Sequence, residues 1–133
     1  MNDKILLVAI NSKFIHSNLA VYCLKNAAKP YDEHVSIAEY SINNRPEDIL
    51  REIYMAKPTV VGFSCYIWNI EMVKELIIEL KKLLPQLLIW LGGPEVSYNP
   101  QDYIDAFPVT GVMKGEGESV FKELVACYVE DKA

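Results

Sequence analysis

Residues Lys4–Ile10 read KILLVAI, an apolar run of strand length that decides the fold class. Four further runs of this kind follow along the chain, at Val35–Tyr40, Thr59–Phe63, Leu87–Leu91 and Val109–Met113. Several are apolar at every position instead of every second one, which is typical of parallel strands covered by helices on both faces. The sequence therefore predicts five parallel strands.

Helical patterns separate these runs. We expect helices at Asn18–Ala28, from Pro46 to about Ala56, and at Ile70–Leu84, Pro100–Ala106 and Ser119–Val129. Asn44 and Asn69 stand where side chains cap the second and third helices, and Pro30 and Pro85 end the first and third.

Apolar spacing predicts which face of each helix packs on the sheet. The third helix should bury Val73, Leu76, Ile77, Leu80 and Leu84. The first should bury Leu19, Tyr22, Cys23 and Ala27, and the last should bury Val120, Leu124 and Cys127.

Alternating strands and helices of these lengths require right-handed crossovers, which predicts a doubly wound sheet with strand order 2-1-3-4-5. The fold class is therefore α/β, a Rossmann-like or flavodoxin-like three-layer sandwich, with residues 1–133 as one domain. Ligands bind such sheets at the carboxyl ends of the strands. We expect four loops to form that site: Asn11–Asn18, Ser64–Asn69, Gly92–Asn99 and Lys114–Glu118.

Composition excludes several classes of partner. The chain has 13 basic and 18 acidic residues, with the lysines scattered, so nucleic acid is disfavoured. The first apolar run is shorter than a signal-peptide core, and no stretch reaches the ~20 apolar residues of a membrane span. We expect a cytoplasmic domain in which Cys23, Cys65 and Cys127 are reduced and mostly buried.

The loop after the first strand carries a histidine immediately before a helix. His16 is therefore a candidate metal ligand, because a helix N-terminus favours neutral imidazole, although His16 or Ser17 could instead only cap the helix. Asn11 and Ser17 of this loop are candidate cofactor contacts.

The other three loops combine aromatic residues with glycines. After the third strand, Tyr66 and its neighbouring aromatics could cover a flat ligand while Ser64 hydrogen-bonds to it, or they could only cover the sheet. Gly92 and Gly93 allow close approach to the backbone, and Glu95 follows them. Gly115 and Gly117 lie in a Gly-Glu-Gly-Glu sequence that opens the last helix.

Three of these motifs, in this order, resemble the N-terminal cobalamin-binding domain of radical S-adenosylmethionine (radical SAM) enzymes. The motifs are Val-Gly-Phe-Ser-Cys at Val61–Cys65, Leu-Gly-Gly at Leu91–Gly93 and Gly-Glu-Gly-Glu at Gly115–Glu118. The resemblance implies that the cobalamin tail inserts between the sheet and its loops. It assigns tail contacts to Ser64, Gly92 and Gly93, with Gly115 and Gly117 nearby.

Other cobalamin domains carry Asp-x-His-x-x-Gly after the first strand, in which the histidine replaces the cofactor's own base. In this chain the matching frame has Phe14, His16 and Leu19, so only the histidine is kept. The resemblance implies cobalamin bound base-off, with His16 near its lower face as the candidate cobalt ligand.

The catalytic half of that family carries a Cys-x-x-x-Cys-x-x-Cys triad, which does not occur in this sequence. We therefore expect no catalytic residue in this chain. The polar ending Glu130–Ala133 is typical of a domain boundary. The resemblance implies a following radical SAM domain that holds S-adenosylmethionine and the [4Fe-4S] cluster, in a methyltransferase-like enzyme or an iron–sulfur oxidoreductase.

The sequence lacks the residues that other functions of this fold require. A phosphoacceptor domain needs acidic residues where Asn11 and Ser64 stand, and a flavin or dinucleotide site needs a glycine-rich loop after the first strand. One alternative remains, a protein-interaction domain that keeps the cobalamin-binding fold without the cofactor and docks through its exposed aromatic residues.

Overall fold

The computed structural model describes residues 4–12, 19–115 and 117–130. The strands are β1 (Ile5–Asn11), β2 (Val35–Ser41), β3 (Val60–Ser64), β4 (Leu88–Gly92) and β5 (Gly111–Val112). The α-helices are α1 (Leu19–Ala27), α2 (Pro46–Ala56), α3 (Ile70–Leu83), α4 (Pro94–Ser97), α5 (Pro100–Ala106) and α6 (Glu118–Val129), and a 3-10 helix covers Asp32–His34.

The five strands form one parallel sheet in the order β2-β1-β3-β4-β5. Strand β1 is buried at all seven positions, because it has a neighbour on each side and helices on each face. Its side chains alternate between the two faces. Leu6, Val8 and Ile10 point to one core, whereas Ile5 and Leu7 point to the other.

The two cores make three layers. Helices α2 and α3 cover one face of the sheet through Ile49, Ile53 and the buried stripe of α3. Helices α1 and α6 cover the other face through Val21, Phe121 and Val125. The predicted α/β sandwich and its strand order are therefore confirmed. Within the part of the chain that the structure describes, no helix is both long and apolar enough to cross a bilayer.

The structure adds two short elements and shortens one. The Gly92–Asn99 loop contains α4, and the 3-10 helix precedes β2. Strand β5 pairs with β4 only over Gly111–Val112, although the apolar run predicted a strand over Val109–Met113.

The buried faces of the first and last helices differ from the prediction. In α1, Val21 is buried, whereas Tyr22 and Cys23 are exposed, and the Tyr22 hydroxyl donates to Glu39 at 2.8 Å. The Tyr22 ring therefore lies at the surface of α1, where its hydroxyl has a polar partner. In α6 the buried residues are Phe121 and Val125, and the predicted Val120 and Cys127 are exposed. The stripe predicted for α3 is buried, with Leu84 half-buried.

Neither predicted asparagine cap donates or accepts a capping hydrogen bond within its helix. Helix α2 has Arg45 at its N-cap position, and Asn69 occupies the N-cap position of α3 without a side-chain cap. Each asparagine instead accepts from the amide three residues before it, Ser41 at 2.7 Å for Asn44 and Tyr66 at 2.8 Å for Asn69. This competing local bond, common for asparagine in turns, tightens both β–α loops.

Helix α3 has two adjacent isoleucines, one buried and one exposed, so the effect of burial can be measured with the same substitution. Ile77 is 0% exposed and Ile78 is 42% exposed. We expect Ile77→Ala to lower the free energy of unfolding by about 2–5 kcal/mol, because it leaves a cavity in the core. Ile78→Ala is the matched control and should cost under about 1 kcal/mol. Urea unfolding measures both, and equal losses would contradict the packing of α3 described above.

Candidate functional site

A cavity of about 560 Å³ opens at the carboxyl edge of the sheet, on the face covered by α1 and α6. Three of the four loops predicted to form a ligand site contribute to it. Six candidate cofactor contacts line it together: Ser64, Tyr66, Gly92, Gly93, Gly115 and Gly117. Residues that lie far apart in sequence therefore share one surface.

Glycines in the strands provide the space. Gly62, in the middle of β3, lines the cavity, and a Cβ there would lie 3.0 Å from Leu7 Cδ2. At Gly92, the last residue of β4, the nearest neighbours of a Cβ would all belong to Met113, with Cε 3.6 Å away and the carbonyl oxygen 4.0 Å away. A larger residue at either position would project into the cavity, whose remaining wall is largely apolar.

Gly93 is required by the backbone itself. Its φ is +100°, and an added Cβ would lie 2.5 Å from the Cys65 carbonyl oxygen and 2.8 Å from the Cys65 nitrogen. Hydrogen bonds keep the two segments together, because Cys65 N donates to the Gly92 carbonyl at 2.7 Å and Glu95 N donates to the Cys65 carbonyl at 3.3 Å. The loops after β3 and β4 are thus joined at the edge of the cavity.

The loop after β3 presents two stacked aromatic rings. The ring centroids of Tyr66 and Trp68 are 4.5 Å apart, and the ring planes differ by 4°. Tyr66 lines the cavity, while the Trp68 indole N–H donates to the Ile10 carbonyl at 3.1 Å. Between them, Ile67 is 79% exposed. The aromatic pair therefore borders the cavity through Tyr66.

The start of α6 closes the opposite side. Gly115 and Gly117 have φ of +75° and +78°, a conformation in which glycine is favoured, and Glu118 begins the helix. The first backbone N–H groups of a helix have no partner within it, so this end can donate to a ligand. Of the described residues that line the cavity, only Glu118 is charged.

Two further candidates lie elsewhere. The Asn11 side chain is buried and donates to Glu39 at 3.5 Å, and the same carboxylate accepts from Tyr22, which raises the pKa of that phenol. Glu95 faces a different groove, between α3 and α5, beside Lys74. The structure does not bring either residue into the cavity.

The remaining candidates, His16 and Ser17, lie outside the described residues. Their roles as cobalt ligand and cofactor contact therefore stay predictions.

Sequence reasoning missed several lining residues. Gly62 could have been predicted from the sequence, since an isolated glycine inside a strand marks close approach of another group. Pro94 and Ser97 lie on the short helix α4, and Leu7 and Met113 are apolar residues whose cavity exposure only the assembled layers reveal.

A doubly wound parallel sheet with a large, glycine-walled cavity at its carboxyl edge defines the chain as a ligand-binding α/β domain. The family model for the B12 binding domain matches residues 5–125. The chain therefore belongs to the B12-binding domain family.

Comparison with curated proteins and solved structures gives the same class. The cobalamin-dependent radical SAM methyltransferase TokK of Streptomyces tokunonensis is 33% identical over 78 residues, which are 58% of this chain and 12% of that protein. The 2-(S-pantetheinyl)-carbapenam-3-carboxylate methyltransferase of Streptantibioticus cattleyicolor is 36% identical over 69 residues, 51% of this chain and 10% of that protein. The matches thus span only about a tenth of these relatives.

Among solved structures, the cobalamin-dependent S-adenosylmethionine radical enzyme OxsB with aqua-cobalamin bound aligns with a TM-score of 0.74. The alignment covers 98% of this chain and 19% of that one at 15% identity, so it shows a shared fold.

The contact between Gly93 and Cys65 predicts that an added methyl group destabilises the fold more at Gly93 than at Gly115. Gly93→Ala should lower the free energy of unfolding by about 3 kcal/mol or more, because it adds a clash with the backbone to the strain of positive φ. Gly115→Ala has nothing within 4 Å of the new Cβ. It should cost only about 1–2 kcal/mol, the strain alone. Thermal or urea unfolding compares them, and equal costs would argue against the close contact.

The three cysteines should differ in their reactivity towards thiol reagents. Burial raises the pKa of the Cys65 thiol to about 12, whereas Cys23 and Cys127 are exposed. Since the thiolate is the reactive form, an aromatic disulfide reagent at mildly alkaline pH should modify two thiols quickly and the third only after unfolding. Counting released chromophore in folded and denatured protein checks this, with Cys65→Ala as the control that should abolish the slow phase.

Proposed function

We propose that this chain binds cobalamin in the cavity at the carboxyl edge of its sheet. The observation that carries the proposal is the cavity itself, about 560 Å³ in volume and walled by Gly62, Gly92 and Gly93, in a member of the B12-binding domain family. Glycines at the edge let a bulky group pass between the sheet and α1, where larger side chains would fill the space.

The chemistry of the wall suits a large, weakly charged ligand. Ser64 and the N–H groups at the start of α6 supply hydrogen bonds, while Leu7, Val21 and Met113 supply apolar contact. Among the described lining residues there is no cation that would select a phosphate-rich ligand. The base and ribose of a base-off cobalamin tail meet these conditions, and the N–H groups at the start of α6 would accommodate its single phosphate, so the residues present fit the group.

Each contact in the proposal has a role. Ser64, Gly92 and Gly93 hold the tail where β3 and β4 end, and Gly115 and Gly117 approach it from the start of α6. Tyr66 covers the mouth of the cavity. From the loop after β1, His16 is the proposed cobalt ligand and Ser17 is a proposed contact. Asn11, at the end of β1, and Glu95, in α4, lie outside the cavity and are left out of the proposed contacts.

We further propose that the chain is the cobalamin-binding domain of a longer cytoplasmic radical SAM protein. The support is the similarity to a cobalamin-dependent radical SAM methyltransferase and to a second methyltransferase, of each of which the match spans about a tenth. Cobalamin supplies a cobalt centre able to carry a methyl group, and a following [4Fe-4S] domain would perform the transfer or a related radical reaction. This chain's own residues would hold and orient the cofactor, limit its exposure to water and present it to that domain.

A second candidate function rests on exposed apolar side chains near the same rim. Ile67 is 79% exposed and Tyr98 is 90% exposed, on the loops that follow β3 and β4. These side chains would suit a cofactor-free domain that docks on a catalytic partner. Such a domain would leave the cavity without a corrin, so the experiment below distinguishes the two functions.

Titration with hydroxocobalamin tests the proposal. We expect a shift of the corrin absorption bands and colour that is retained after desalting. Gly92→Val adds an isopropyl group to the cavity beside the flexible Met113 side chain and should weaken binding by at least about tenfold. Ser36→Val, at an exposed position of β2, is the matched β-branched control and should bind as the wild type does. A wild-type chain that retains no colour would favour the interaction function.

A further inference from the structure

One buried polar side chain at the edge of the site has more partners than its local turn requires. Asn69 is 1% exposed. Its amide nitrogen donates to the Ile10 carbonyl at 3.0 Å and to the Ser64 carbonyl at 2.9 Å, and its Oδ1 accepts from Tyr66 N at 2.8 Å. Two carbonyls and one N–H around the amide allow only this orientation of its nitrogen and oxygen.

The partners of Asn69 belong to three different segments. Ile10 lies near the carboxyl end of β1, Ser64 ends β3, and Tyr66 lines the cavity. The Ile10 carbonyl also accepts from the Trp68 indole, so a single β1 oxygen receives two donors from the loop after β3. That loop is therefore tied to β1 at the point where its aromatic pair stacks.

The loop after β2 contains the same turn without this tie. Asn44 N donates to the Ser41 carbonyl at 3.0 Å and Asn44 Oδ1 accepts from Ser41 N, as Asn69 N donates to the Tyr66 carbonyl at 3.1 Å and Asn69 Oδ1 accepts from Tyr66 N. Asn44, however, is exposed. The turn itself thus needs only the Oδ1 acceptor, and the buried amide nitrogen of Asn69 makes bonds beyond it.

We propose that Asn69 is a positioning residue for the ligand cavity. It holds Tyr66 in the cavity wall, stacked on Trp68, by tying their loop to the end of β1. The inference rests on the proposed function, because the ring it positions is the one that would cover the corrin. A wall held in place before the ligand arrives saves the cost of ordering it on binding. Without the tie, Tyr66 can turn away from the cavity and the ligand loses a packed face.

The test compares Asn69→Ala with its matched control Asn44→Ala. Each removes the same Oδ1 bond of the turn, but only the first removes the two donors to Ile10 and Ser64. Far-ultraviolet circular dichroism confirms folding, and the near-ultraviolet spectrum reports the stacked Tyr–Trp pair. We expect Asn69→Ala to lose that near-ultraviolet signal and to bind hydroxocobalamin about tenfold more weakly. Asn44→Ala should keep both properties.

Other outcomes are decisive as well. A folded Asn69→Ala with an unchanged near-ultraviolet signal and unchanged affinity overturns the inference. If Asn69→Ala does not fold, Trp68→Phe decides, since it keeps a ring opposite Tyr66 and removes one donor to the Ile10 carbonyl. Affinity lower by about threefold supports the tie, and unchanged affinity overturns it. A wild-type chain that retains no corrin contradicts the proposed function. The near-ultraviolet signal of Asn69→Ala then still shows whether Asn69 holds the aromatic pair.

Discussion

Strands β3 and β4 meet at their carboxyl ends through backbone alone, where the Cys65 amide donates to the Gly92 carbonyl and Gly93 lies against Cys65. The site depends on this contact, because it sets the separation of the two loops that form the cavity's rim. A side chain at Gly93 would force them apart. The glycines at 62 and 92 then determine how far the space extends beneath the rim.

The fold was predictable because local and long-range signals agree. The run at Lys4–Ile10 is apolar at every position except the first, and β1 is buried on both faces. Proline and glycine mark the ends of most elements, and right-handed crossovers leave few strand orders to choose from. The three glycine-bearing motifs lie at one edge for the same reason, since the loops that follow parallel strands all leave from the same side of the sheet.

Other features depend on tertiary contacts that the sequence pattern does not specify. Helices α1 and α6 carry apolar residues on more than one stripe, and only their contact with the sheet selects Val21, Phe121 and Val125. Asn11 is the last residue of β1 and Glu95 lies in α4. The Asn11 side chain contacts Glu39, and Glu95 faces the groove beside Lys74, so neither lines the cavity. The bonds of Asn69 to Ile10 and Ser64 cross 59 and 5 residues, and no sequence pattern distinguishes them from an ordinary helix cap.

The hollow between the sheet and α1 also has a thermodynamic meaning. A domain with an open cavity of about 560 Å³ beside one of its two cores leaves apolar wall exposed to water. Any molecule that fills the cavity and binds only the folded chain adds stability by mass action, about 2.7 kcal/mol at a hundredfold excess over its dissociation constant. If the proposed ligand binds there, its supply would raise the fraction of the polypeptide that survives heat or proteolysis, and loading would be a step in maturation.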